Sequence, residues 1–127
     1  MKKEIAMIIG KARKDKDVLA VSVFGSFARG EKPYRDIDIC IILKPQKRGN
    51  LALSAKKLEY LSTFSNKLDI KIFQQMPLYI KHRILKEGKI VFCLNEDVLY
   101  DLACLTAKEY EDFKPIYKSY LEAIGHA

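Results

Sequence analysis

Residues 21–43 read VSVFGSFARGEKPYRDIDICIIL, two apolar runs separated by a polar segment. Val21 to Phe24 is an apolar run with the β-branched and aromatic bias of a buried strand. Gly25-Ser26 ends that run and opens a short segment, Phe27-Ala28-Arg29-Gly30. After a turn at Lys32-Pro33-Tyr34, a second apolar run from Ile37 to Leu43 follows, with Asp36 and Asp38 at its head. Strand side chains alternate between faces, so Asp36 and Asp38 point one way while Ile37, Ile39 and Ile41 point the other, into a core. Two carboxylates side by side at the start of a buried strand repel each other and are costly to desolvate. A divalent cation between them removes that cost, and Mg²⁺ favours a few carboxylates together with substrate phosphates. Gly25-Ser26 is the natural complement: a glycine lets backbone N–H groups approach a phosphate, and a serine hydroxyl can donate to one. An Asp-x-Asp or a Gly-Ser alone is commonplace, whereas strand, Gly-Ser, short helix and Asp-x-Asp in that order is rare. The predicted site is a metal-bound triphosphate held between the Gly-Ser turn and the carboxylate pair.

The motif G-S-F-A-R-G at 25–30 followed by R-D-I-D-I at 35–39 resembles the signature of the DNA polymerase beta nucleotidyltransferase superfamily, above all its short members, the minimal nucleotidyltransferases. The strong resemblance covers residues 21–43, and weaker similarity runs through Leu68 to Phe73, Met76 to Phe92 and the aromatic tail. Arg35 departs from the pattern, since many members carry Ser there. Leu68 to Phe73 is a predicted strand on which Asp69 and Lys71 share a face opposite Ile70 and Ile72. A lone acid at a strand edge says little by itself, but the resemblance implies that Asp69 is the third carboxylate of the site. It implies further that Asp36, Asp38 and Asp69 hold two Mg²⁺ ions, with Mn²⁺ as a substitute, and that Gly25, Ser26 and Arg29 bind the nucleotide. Lys71 reads either as reaching the phosphates or as a surface lysine.

Minimal nucleotidyltransferases are typically encoded beside a HEPN-domain toxin. The resemblance therefore implies an antitoxin that transfers AMP from ATP to a tyrosine of that toxin. Two other classes remain open at this stage: a catalytically silent, nucleotide-binding antitoxin or scaffold, and a nucleotidyltransferase acting on a small molecule or RNA. Retention of all three carboxylates argues against the first. The absence of an RNA-binding motif and of a second domain argues against the other, and against a nucleic-acid partner.

At 127 residues the chain is expected to be a single domain, 1–127, with a modest core. No apolar run approaches the roughly 20 residues of a membrane span, and the start Met-Lys-Lys-Glu-Ile lacks a signal-peptide core. A cytoplasmic location follows as the expectation. Cys40, Cys93 and Cys104 are odd in number and lie in apolar segments, so they read as buried thiols in a reducing compartment. The net charge of +7 suits an anionic partner, whether nucleotide, nucleic acid or acidic protein, and does not choose among them.

Apolar spacing predicts a helix over residues 3–14, carrying Ile5, Ile8, Ile9 and Ala12, with Lys11 to Asp17 as its solvated end. Strands are predicted at Val18 to Phe24 and Ile37 to Leu43. The basic turn Lys44 to Asn50 is either a solvated loop or one that closes over the triphosphate. Leu51 to Phe64 is predicted as an amphipathic helix with Leu51, Ala55, Leu58 and Leu61 on one face. A helix from Met76 to Glu87, a strand from Lys89 to Leu94 and a helix capped by Asn95 complete the order. The last helix has an apolar stripe of Val98, Leu99, Leu102, Ala103 and Leu105, and Pro115 predicts a kink or break near Phe113. The expected fold is thus α/β (α+β), one mixed sheet of about four strands with helices packed on it. Residues 106–127 carry Tyr110, Phe113, Tyr117 and Tyr120 and read as a partner-binding tail, with completion of the core as the alternative. The acceptor surface must then come from another protein or from another copy of the chain.

Overall fold

The computed structural model describes residues 2–25, 37–64 and 68–125. Helix α1 (Lys2–Lys14) leads into β1 (Val18–Phe24), then β2 (Ile37–Leu43), α2 (Asn50–Thr63) and β3 (Leu68–Ile72). A short 3₁₀ turn (Phe73–Gln75) precedes α3 (Leu78–Glu87), β4 (Lys89–Cys93) and α4 (Glu96–Gly125). The strands form one mixed sheet in the order β3-β2-β1-β4, as expected from the sequence. β1 is antiparallel to β2 and to β4, while β2 and β3 are parallel. A parallel pair needs a crossover connection, and α2 supplies it.

Both faces of the sheet are covered. Ile37, Ile39, Ile41 and Leu43 of β2 join Ile8 and Ala12 of α1, Leu53 and Tyr60 of α2, and Leu68, Ile70 and Ile72 of β3 in one core. Cys40 and Ile42 face the other way, onto Phe73 and onto Ile80, Ile84 and Leu85 of α3, with Val98, Leu99 and Leu102 of α4 behind. This two-sided burial is why β2 reads as a nearly continuous apolar run rather than an alternating one. β1 breaks strict alternation: Leu19 and Ala20 both belong to the second core, and the register with β2 shifts between Val18 and Ala20. The bulge absorbs the extra residue and sets Phe24 on the α3 side. Gln74 finishes the sheet end, accepting from Leu43 N at 3.2 Å and donating to Leu43 O at 2.9 Å.

Several expectations are corrected. The buried face of α2 is Leu53 and Tyr60, whereas Leu51 is 86% and Leu58 66% exposed, with Leu61 exposed too. The cause is polar. Lys56 lies between Leu53 and Tyr60 on the helix surface, and Asp15 accepts from Tyr60 Oη at 2.9 Å and from Lys56 Nζ at 3.0 Å. A face that satisfies a sheltered carboxylate outweighs one with more leucines. Within Lys11 to Asp17, Arg13, Lys14 and Lys16 are exposed as a solvated end requires, but Asp15 departs from that reading, its side chain being only 10% exposed. Cys40 is buried, which pushes its thiol up, but Cys104 is exposed rather than buried.

In α4, Leu105 is exposed, so Val98, Leu99 and Leu102 carry the packing. Asn95 caps the helix through Val98 N at 3.2 Å. Pro115 does not break it. Ring stacking on either side of the proline fastens α4 to α3: His82 lies on Tyr110 at 4.0 Å, and Tyr79 on Tyr117 at 5.8 Å.

The Asp15–Lys56 pair yields a stability prediction. Burial alone would raise the Asp15 carboxyl; hydrogen bonds from Asp17 N–H, Lys56 and Tyr60 outweigh it and hold it below its ordinary value. Burial would likewise lower Lys56, but its hydrogen bonds to Asp15 and Asp17 raise it. The depressed acid contributes stability above its ordinary pKa of 3.8 that is lost as pH falls through the folded value. The raised base contributes stability below 10.5 that is lost as pH rises through its folded value. Lys56→Met should strand the carboxylate and cost about 3 kcal/mol in urea unfolding at pH 7. Wild-type stability in that variant would mean that the pair is dispensable.

Candidate active site

β1 ends where β2 and β3 begin, so one end of the sheet gathers Gly25, Asp38 and Asp69. In the parallel register Asp38 stands directly beside Asp69, about 5 Å away strand to strand. Both side chains lie on the α3 side, because Ile37, Ile39 and Ile70 take the opposite face. Like charges on neighbouring strands oppose pairing, and here they are kept at a partly exposed end of the sheet. Lys71 Nζ stands 3.4 Å from Asp69 Oδ1. The lysine is thus the partner of this carboxylate, which is the use that its place on the strand favours.

Gly25 has φ +77°, the one positive φ among the described residues. A Cβ built on it would collide with Asp38 Oδ2. Two demands therefore meet at this position: a left-handed turn that glycine tolerates best, and contact of bare backbone with a carboxylate. The sequence assigned Gly25 to phosphate approach; the structure adds that its Cα is packed against the carboxylate of Asp38. Ser26, Arg29 and Asp36 lie outside the described residues. Among the described residues no group of three metal-ligating side chains forms.

Beside this turn lies a cleft of about 130 Å³, lined by Phe24, Gly25, Ile80, Arg83, Ile84 and Glu87. Sequence reasoning passed over the α3 residues in it. Their signal was weak: Arg83 and Glu87 look like an ordinary i,i+4 surface pair, and that is how they sit, 3.6 Å apart. Only the return of β4 alongside β1 brings this end of α3 to Gly25. The basic loop after β2 does not border the site. Lys44 is six residues along the strand from Asp38, about 20 Å away. Arg48 is occupied there by Lys44 O at 2.8 Å and Gln46 Oε1 at 3.0 Å.

The arrangement can hold a cation and an anion together: two hard oxygen donors on one sheet end, and a glycine turn against them. Comparison with known proteins finds relatives in sequence and in fold. A relative from Methanocaldococcus jannaschii, named as a protein adenylyltransferase, is 40% identical over 76 residues, which are 59% of this chain and 56% of that protein. The match thus spans little more than half of the relative's length. Among solved structures, a chain of a toxin–antitoxin complex with AMP-PNP superposes with a TM-score of 0.70 at 18% identity, covering 95% of this chain and 97% of that one. A chain from the complex of a tri-AMPylated Shewanella oneidensis HEPN toxin with its MNT antitoxin gives 0.67 at 15% identity, covering 95% and 94%. At such identities the likeness is one of fold. The sequence model described as polymerase beta, nucleotidyltransferase matches residues 6–97, and with the strand-end carboxylates and the Gly25 turn in place, the chain belongs to that nucleotidyltransferase family.

Proposed function

We propose that this protein transfers AMP from ATP to a hydroxyl, a tyrosine side chain, of a partner HEPN-domain toxin and so acts as its antitoxin. The observation that carries the reading is the lateral pairing of Asp38 with Asp69 beside a glycine turn seated on Asp38. The names borne by the Methanocaldococcus jannaschii relative and by the superposing toxin–antitoxin complexes support it. In the reaction the acceptor oxygen attacks the α-phosphorus in line, the bond to the α,β-bridging oxygen breaks, and pyrophosphate departs. The hydroxyl proton passes to Asp69 or to water.

Asp38 and Asp69 offer the oxygen donors that Mg²⁺ or Mn²⁺ takes, and Asp36 would complete the set. Such ions neutralise the triphosphate and favour the ionised acceptor. Gly25, Ser26 and Arg29 would cradle the phosphates. The decisive experiment mixes purified protein, labelled ATP, Mg²⁺ and the HEPN toxin. Label on a toxin tyrosine is expected; an unlabelled toxin in the presence of excess ATP and metal sinks the proposal.

The acceptor must be held by something beyond the catalytic layer, and the end of α4 is the candidate. Ile116, Tyr120, Leu121 and Ile124 are exposed there, while the stacking on α3 ends at Tyr117. A chain ending at Tyr117 should stay folded and keep its ATP affinity, yet lose at least about tenfold in toxin affinity. Full toxin binding by the shortened chain would assign the interface elsewhere.

A further inference from the structure

A lysine on an edge strand ordinarily extends its ammonium into water. β3 is an edge strand of the sheet, yet Lys71 turns back along it. Asp69 lies two residues earlier on the same face, about 6.6 Å away along the strand, and Lys71 Nζ stands 3.4 Å from its Oδ1. The ammonium thus points to the head of β3, where Asp69 stands beside Asp38 of β2.

Folding stability gives a poor account of this pair. Its side chains are 34% and 44% exposed, and ion pairs so open to water contribute little. The charges at the sheet end give a better one. Like charges on neighbouring strands oppose pairing, and a cation at Asp69 offsets that repulsion. The ammonium therefore stands in for a cation on an oxygen donor that a divalent ion would take. The two cations repel at close range, so the ammonium must withdraw as the divalent ion arrives. A flexible four-carbon stem and a weakly held contact let it do so.

We propose that Lys71 is a resident counterion of Asp69 that competes with the divalent cation and so sets the metal concentration at which the site fills. The nucleotidyl-transfer reading is deepened here, and it supplies the metal. The sign of the effect is fixed. Neutralising Lys71 removes a competitor and leaves the two carboxylates less compensated, and both changes tighten metal binding. A lysine that merely braced Asp69 would have the opposite effect on removal.

The test uses Mn²⁺ alone on the full chain, without nucleotide or toxin, measured by calorimetry and by the paramagnetic resonance of free ion. Lys71→Gln should bind Mn²⁺ at least about fivefold more tightly than wild type. Lys71→Met, a second neutral variant, should match it, whereas Lys71→Arg keeps the charge and should stay within about twofold of wild type. The rise in Tm on adding Mn²⁺ should follow the same order. Unchanged or weaker affinity in the neutral variants, equal tightening in Lys71→Arg, or no bound Mn²⁺ in any of these proteins overturns the assignment. The wider reading fails separately: tightening in the neutral variants together with a toxin that stays unlabelled would refute AMP transfer and leave the role of Lys71 standing.

Discussion

Asp38→Asn is expected to lower AMP transfer by at least about 10³-fold, the loss of roughly 4 kcal/mol of charge stabilisation around the reacting phosphate. An amide keeps the shape and one acceptor oxygen but cannot neutralise a divalent cation. The fold should survive. Asp38 sits beside Asp69 at an edge of the core rather than within it. Removing one of two like charges on adjacent strands changes stability by no more than about 1 kcal/mol. Ligand linkage supplies a second readout. Mg-ATP at 100 times its dissociation constant should stabilise the wild type by about 2.7 kcal/mol, and the variant far less. Asp36→Asn should behave alike. Transfer at the wild-type rate in either variant, or by the wild type in excess chelator, would remove the carboxylates from the chemistry.

Much of this site was legible because it is local. Gly25 closely follows β1 and Asp38 lies in β2, the next strand of the chain, and alternation alone puts the aspartate opposite Ile37 and Ile39. Asp69 needed the family resemblance, since its meeting with Asp38 depends on a parallel pairing made through α2. What the sequence misjudged was decided by tertiary polar contacts. Helix α2 turns Leu51, Leu58 and Leu61 outward because Asp15, 45 residues before Tyr60, takes the tyrosine hydroxyl. No periodicity within residues 51–64 contains that information. Pro115 stays inside a continuous helix because Tyr110 and Tyr117 stack on α3 either side of it. The cleft at Arg83 and Glu87 was invisible for the same reason, as β1 and α3 are far apart in the chain and meet only in the sheet.

Gly25 should prove the least replaceable residue of the described turn, and for two separable reasons. Its φ of +77° costs an ordinary residue about 1–2 kcal/mol. Any Cβ there also drives into Asp38 Oδ2. The carboxylate must then move, and displacement of a reacting group by about 1 Å costs on the order of 10²-fold in rate. Gly25→Val combines both penalties with branching at Cβ, and both stability and transfer should fall sharply. Gly25→Asn separates them. Asparagine tolerates the left-handed region, so Tm should drop by only a few degrees, about what a loss under 1 kcal/mol produces in a domain of this size. Its Cβ still meets Asp38, and transfer should fall by about 10²-fold. A Gly25→Asn protein with wild-type turnover would mean that the turn needs only its backbone angle, and that the contact with Asp38 has no part in catalysis.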